Sequence, residues 1–132
     1  MGLDAILTLM REILPHEGAE MAAHTISRNR ERAFGLFHRG RGVAKAGAVG
    51  GDDAAGYDVE RLVLLIRWGR DGNAAEAKSR EVYGVLASRG FVADGRTGFL
   101  MAVNEAPVWI GMDERGVFEY TLDFDVYVEK GR

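Results

Sequence analysis

The chain has 132 residues, 47% of them hydrophobic and 28% charged, which suits one soluble domain, residues 1–132, with a core of its own. A formal net charge of -3 excludes the basic surface that nonspecific nucleic-acid binding needs, and the absence of cysteine excludes disulfides and thiolate chemistry. No apolar run approaches the ~20 residues of a membrane helix, and the N-terminus lacks a signal-peptide pattern, so we expect a cytoplasmic protein without a membrane partner.

The first predicted elements are a helix at about residues 3–14 and two short strands. The helix is predicted because its apolar side chains recur at helical spacing, and Pro15 ends it because the residue before a proline avoids the α region. The strands are predicted around Ile26 and from Phe34 to Arg39. The apolar positions of the helix are Leu3, Ile6, Leu7, Met10, Ile13 and Leu14.

Residues 40–56, GRGVAKAGAVGGDDAAG, form a long glycine-rich stretch. It matches neither of the glycine motifs that bind nucleotide phosphates, so we predict no nucleotide or cofactor site there. A loop of this length is usually functional or disordered, and we expect a flexible arm that becomes ordered on assembly.

The strongest strand pattern is VERLVLLIRWG. One face carries Leu62, Leu64, Ile66 and Trp68, and the other carries Arg61, Val63, Leu65 and Arg67. Apolar side chains on both faces predict a central strand that is covered on both sides, by helices or by another subunit.

The helix NAAEAKSREVYGVL is predicted next, and β structure follows it to the end. Asn73 and Glu76 are spaced as a capping box, Glu76 and Arg80 as an ion pair one turn apart, and Gly90 as a C-terminal cap. Strands at GFLMAVN and PVWIG, a turn at residues 113–116 and a strand at residues 118–129 complete the chain. The fold predicted is therefore α+β, with two helices on one face of a mixed, mostly antiparallel sheet of about five strands.

The final strand has one apolar face and one face with four carboxylates, those of Glu119, Asp123, Asp125 and Glu129. A metal site is disfavoured because side chains on one strand face lie ~7 Å apart, whereas a cation needs converging oxygens. Two interpretations stay open: a solvated face paired with cations across the strands, or an interface with a positively charged partner. Cations concentrate between Arg28 and Lys45, which favours either a head-to-tail contact between copies or a solvated surface.

No catalytic pattern is present, so we predict a protein that is not an enzyme and has no metal or cofactor. HEGAE at His16 lacks the second histidine of a zinc protease helix, and no serine lies in a nucleophile elbow.

From Arg28 to Lys130 the chain resembles the minor capsid and tail terminator proteins of tailed bacteriophages and prophages. The resemblance lies in R-x-x-x-L-F-x-R-G before a glycine-rich loop, in LLIRWGRDGNAAEAKSREVYGVL, and in APVWIGMDERGVFEYTLDFDVYVEK. It implies a head–tail joining protein of the virion tail or neck, assembled in the bacterial cytoplasm. Terminators form rings, usually hexameric, that cap the tail tube and face the head connector, so the implied partners are further copies, tube protein and connector proteins.

An assembly interface follows from the resemblance together with the charge pattern. The expected residues are Arg39, Arg41, Lys45, Arg61, Val63, Leu65, Arg67, Glu119, Asp123 and Asp125. In a ring, the acidic face could line a channel for DNA or receive the basic arm of a neighbour. The alternative is a small oligomeric ferredoxin-like binding domain or enzyme with a ligand between sheet and loop, and no sequence-specific nucleic-acid partner is expected in either case.

Overall fold

A computed structural model of the chain describes residues 2–39, 56–93 and 95–130. These residues form two helices and seven strands of one open sheet. In chain order they are α1 (Leu3–Ile13), β1 (Glu20–Ala23), β2 (Arg32–His38), β3 (Tyr57–Trp68), α2 (Gly72–Leu86), β4 (Ser88–Ala93), β5 (Arg96–Ala102), β6 (Val108–Met112) and β7 (Phe118–Glu129). The predicted glycine-rich loop falls, except for Gly56, outside the described residues.

The sheet has the strand order β1-β2-β3-β7-β5-β4, and β6 also pairs with β7. One side of β7 is paired with β3, whereas its other side is paired with β6 near its start and with β5 near its end. Among the pairs of described strands, only β1–β2 is parallel. The α+β class and the mostly antiparallel sheet are confirmed, but the prediction of about five strands was wrong because β1 and β4 are short strands without clear alternation.

Both helices pack on the same side of the sheet, which we call the core face. This face carries the even-numbered side chains of β3 and β7, and Leu62, Leu122 and Phe124 on it are fully buried. The apolar sides of α1 and α2 join this core, including Ile6 and Val82. Each buried side chain of this kind stabilises the fold by about 1.5–3 kcal/mol, so packing against the core face holds both helices in place.

The ends of α2 differ from those predicted. Asp71 is the N-cap, and its carboxylate accepts hydrogen bonds from the backbone N–H groups of Asn73 and Ala74 at 3.0 and 3.4 Å. The prediction of Asn73 as the cap was therefore wrong, since the acid two residues earlier already satisfies the first free donors. Gly90 lies in β4 rather than at a helix end, because α2 stops at Leu86 and the chain pairs with β5.

Residues 24–31, which we call the crossing segment, connect the parallel strands β1 and β2. They lie across the side of the sheet opposite the helices, which we call the second face. A Cβ added to Gly35 would lie 2.8 Å from the carbonyl oxygen of Thr25 and 2.9 Å from Cβ of Ile26. The predicted strand around Ile26 was therefore wrong: β1 ends at Ala23, and Ile26 is buried beside β2 instead.

Candidate functional site

The four carboxylates predicted on one face of the final strand lie on the second face, where β3 and β7 are paired in register. We call them the acidic row: Glu119, Asp123, Asp125 and Glu129. Arg67 is opposite Glu119, and Arg61 is opposite Asp125. Cations on β3 therefore lie opposite carboxylates on β7, as the interpretation of a face paired across the strands predicted.

Arg67 is the most enclosed charged residue of this face, with a side chain that is 0% exposed. Its Nη1 lies 2.7 Å from a carboxylate oxygen of Glu119 and 3.0 Å from one of Asp113. Its Nε and Nη2 donate to the carbonyl oxygen of Arg30 in the crossing segment, at 3.3 and 3.2 Å. The guanidinium thus fastens the crossing segment to the hairpin between β6 and β7, inside the protomer.

Asp113 begins the turn that joins β6 to β7. Its carboxylate accepts hydrogen bonds from the backbone N–H groups of Val117 and Arg115, and Gly116 provides the positive φ of +85° that the turn needs. The bond from Val117, then those from Arg115 and Arg67, lower the pKa of Asp113 to about 2 although partial desolvation opposes the shift. The predicted turn is present, and the carboxylate stays ionised to hold Arg67.

The other members of the acidic row also meet partners of the same chain. Asp125 accepts from Nη2 of Arg39 at 2.7 Å, and Glu129 accepts from the backbone N–H of Thr97 at 2.9 Å. Glu119 additionally pairs with Arg28, whose side chain is 60% exposed. Within the described part of the chain, Asp123 and Glu129 are the members of the row without an ion-pair partner.

The remaining predicted interface residues are two apolar residues of β3 and two cations that follow β2. Val63 and Leu65 are half-buried near the middle of the second face. Arg41 and Lys45 lie outside the described residues. Of the basic stretch from residue 28 to residue 45, Arg28 and Arg39 bind acids of their own protomer, so those acids already have cations beside them.

An exposed apolar surface lies at the edge of the sheet. Among the described residues, six of the seven large apolar side chains that are exposed lie between residues 101 and 112, and the strand β6 carries four of them: Val108, Trp109, Ile110 and Met112. β6 pairs with β7 on one side and with no described strand on the other. We call this strand the apolar edge, and its only sequence signal is a run of consecutive apolar residues, VWI, without the alternation of a half-buried strand.

Residues 2–39, 56–93 and 95–130 hold neither a cluster of metal ligands nor a membrane-spanning helix. No group of three or more histidine, aspartate and glutamate side chains in these ranges is placed to hold a metal ion. No helix in the same ranges has the length and apolar character needed to cross a membrane.

Exposed apolar side chains on a strand at the edge of the sheet mark a place where another chain can make contact. The sequence matches the family described as "Bacteriophage tail terminator protein" over residues 42–130. This match covers more than half of the chain, and the chain belongs to that family. It is accordingly a structural protein of the phage tail, located in the virion, and it interacts with other virion proteins.

Comparison with curated proteins and comparison with solved structures gave no significant match.

Proposed function

We propose that the protein is a noncatalytic tail terminator whose copies form a ring, hexameric as is usual for terminators, at the head-proximal end of the tail tube. The observation that carries this proposal is the family match over residues 42–130, which includes every strand from β3 to β7. Tube protein on one side and head-connector proteins on the other are the proposed partners. The ring would assemble in the bacterial cytoplasm before it becomes part of the virion.

The distribution of exposed apolar surface supports a protein that assembles. Trp109 is 55% exposed and Met112 is 57% exposed, and both lie on the same strand. Contiguous apolar surface of this kind is uncommon on soluble monomers and marks sites of protein contact. A ring would bury it against other copies.

The proposal is tested by measuring the molar mass of the purified chain with size-exclusion chromatography and light scattering over a range of concentrations. We expect a ring-sized species, formed by the chain alone or on addition of tube protein, and a ring in electron micrographs. A chain that remains monomeric under both conditions would contradict the proposal.

The acidic row would have a structural role inside each copy and would leave little charge for a neighbour. Glu119 and Asp125 already have arginine partners, so a basic arm of another copy would find only Asp123 and, at the end of the strand, exposed Glu129. We propose that the ring contact does not depend on this row, although Asp123, Val63 and Leu65 remain available to line a channel or to contact other virion proteins.

Changing Asp123 to lysine is therefore expected to leave the molar mass of the ring unchanged, because the contact between copies lies elsewhere. The measurement is light scattering of D123K beside the unchanged protein at equal concentration. Loss of the ring in D123K would show instead that the row receives cations from the neighbouring copy.

A further inference from the structure

We propose that the apolar edge of one copy pairs with β1 of the next copy, so that the ring is built as a sheet that continues from protomer to protomer. This inference rests on the proposed ring and specifies which surfaces meet in it. The occupant of the apolar edge is thus a second copy of this chain.

The apolar edge is built to accept a strand. Its outward backbone groups face no described strand, and the side chains beside them are apolar, with Ile110 51% exposed and Val108 44% exposed. Isolated proteins usually protect such an edge with charge, proline or a covering loop, because it can pair with any extended chain. β6 has an irregularity in its pairing between Trp109 and Gly111, but its five residues include no charge and no proline, so its edge indicates a place where another strand is added.

The opposite edge of the sheet, β1, lies at the same level as β6. One row of paired residues runs across the whole sheet from Ala22 through Gly35, Leu65 and Thr121 to Val108. The adjacent row that points to the core face runs from Met21 on β1 to Trp109 on β6 in the same way. A copy displaced sideways along these rows would therefore place its β1 directly beside β6.

The directions and lengths of the two strands also fit. β1 is parallel to β2, and each of the three pairings from β2 to β6 is antiparallel, so β6 runs opposite to β1. The new pair would be antiparallel, with four residues in β1 and five in β6. Because opposite edges meet, the contact is heterologous, and such contacts close into rings when each copy is rotated relative to the last.

The charges that flank the two edges are complementary. Exposed Glu105 precedes β6 and exposed Glu114 follows it. At the other edge, Nε of Arg30 lies 3.8 Å from the carboxylate of Glu20 at the start of β1, with both side chains about half exposed, and Arg11 reaches the carbonyl oxygen of Met21 in the middle of the strand. In the antiparallel arrangement Arg30 faces the end of β6 that bears Glu114, and Arg11 faces Trp109, whose ring attracts cations.

The contact of Arg11 with Met21 also places a charged side chain at the β1 edge of a free copy. Nη2 of Arg11 donates to the outward carbonyl oxygen of Met21 at 3.2 Å, so the β1 edge is closed by a charged side chain until a partner replaces it. Charge on an edge strand is a common protection against uncontrolled pairing. One protected edge and one open edge permit ordered addition of copies.

Cysteine cross-linking tests the pairing, and the natural chain has no cysteine to interfere. Ala22 and Val108 end the same row on the same face, so A22C/V108C places two thiols opposite each other in the proposed contact. Cα atoms of opposed residues in an antiparallel pair are ~4.5–5.5 Å apart, which suits a disulfide. We expect oxidation of the assembled variant to convert most of it into a reducible ladder of dimers, trimers and larger species on denaturing gels.

Matched variants make the result specific. A23C/V108C should give several-fold less ladder, because Ala23 lies in the next row and points to the core face. A mixture of the single variants A22C and V108C should yield nothing beyond dimers, since each copy then carries one thiol. V108C alone should remain monomeric on the same gel.

The outcomes separate this inference from the proposed function. A ring by light scattering without a ladder in A22C/V108C would overturn the edge pairing and leave the ring in place. Covalent dimers from V108C alone would show that β6 meets β6, which also overturns it. Absence of any species above the monomer, with and without tube protein, would overturn both proposals.

Discussion

Replacing Arg67 with methionine is expected to lower the free energy of unfolding by about 3 kcal/mol. The side chain is fully buried, and its removal takes the cation away from the carboxylates of Glu119 and Asp113 and the donors away from the Arg30 carbonyl. Removing one partner of a buried pair commonly costs about 3–5 kcal/mol. We expect the lower end, because Glu119 keeps Arg28 and Asp113 keeps two backbone donors.

The matched control is Arg28→Met, which removes the second cation from the same Glu119 carboxylate. Arg28 is largely exposed, so we expect a loss below about 1 kcal/mol. Chemical denaturation of both variants gives the comparison. Equal losses in the two would contradict the role assigned to burial.

In R67M the pKa of Asp113, followed by carboxyl NMR, should rise from about 2 yet stay below its ordinary 3.8, because the Val117 hydrogen bond persists.

Replacing Gly35 with alanine is expected to destabilise the protein by about 1–3 kcal/mol. The added methyl group would lie 2.8 Å from the Thr25 carbonyl oxygen and 2.9 Å from Cβ of Ile26. A backbone oxygen cannot turn aside as the end of a side chain can, so the crossing segment must move away from β2. Forcing extra volume into a closely packed site typically costs this much.

Gly84→Ala provides the control for this substitution. Gly84 lies within α2, and an added Cβ would have no atom within 4 Å. Alanine there should stabilise the protein by about 0.5–1 kcal/mol, because glycine loses more conformational freedom in a helix. Thermal unfolding of G35A and G84A should therefore shift in opposite directions. An unchanged midpoint in G35A would show that the crossing segment does not press on β2.

The long strands could be predicted because each carries its pattern within its own residues. In β3 the side chains from Leu62 to Trp68 alternate between the core face and the second face, and in β7 those from Phe118 to Val128 do the same. Helix α1 was equally recognisable, since its apolar residues keep helical spacing and Pro15 follows it. In an element of this length, the spacing of the apolar residues is enough to predict which face is buried.

The short elements could not be placed in the same way. β1 has four residues, EMAA, and each of them pairs with a residue of β2 that comes 13 positions later. The N-cap of α2 was misassigned because Asp71, Asn73 and Glu76 all suit a helix start, and only the backbone geometry selects among them.

Of the features of the functional surface, the charge pairing could be predicted from the sequence, whereas the burial of Arg67 and the exposure of β6 could not. Charge pairing between β3 and β7 followed from alternation on two strands that proved to be neighbours. The burial of Arg67 depends on groups that are 37 and 52 positions away along the chain. The exposure of the edge of β6 depends on strand order, because β7 pairs with one side of β6 and no described strand pairs with the other.

The contacts of Arg67 also bear on the order in which the protein folds. Its guanidinium joins the chain before β2 to the chain after β6, and each such closure costs entropy before the contact repays it. This corner of the sheet should therefore form after the rate-limiting step, and contacts made that late slow unfolding without slowing folding. A slow rate of unfolding serves a protein that has to persist in a particle far from any cell that could replace it.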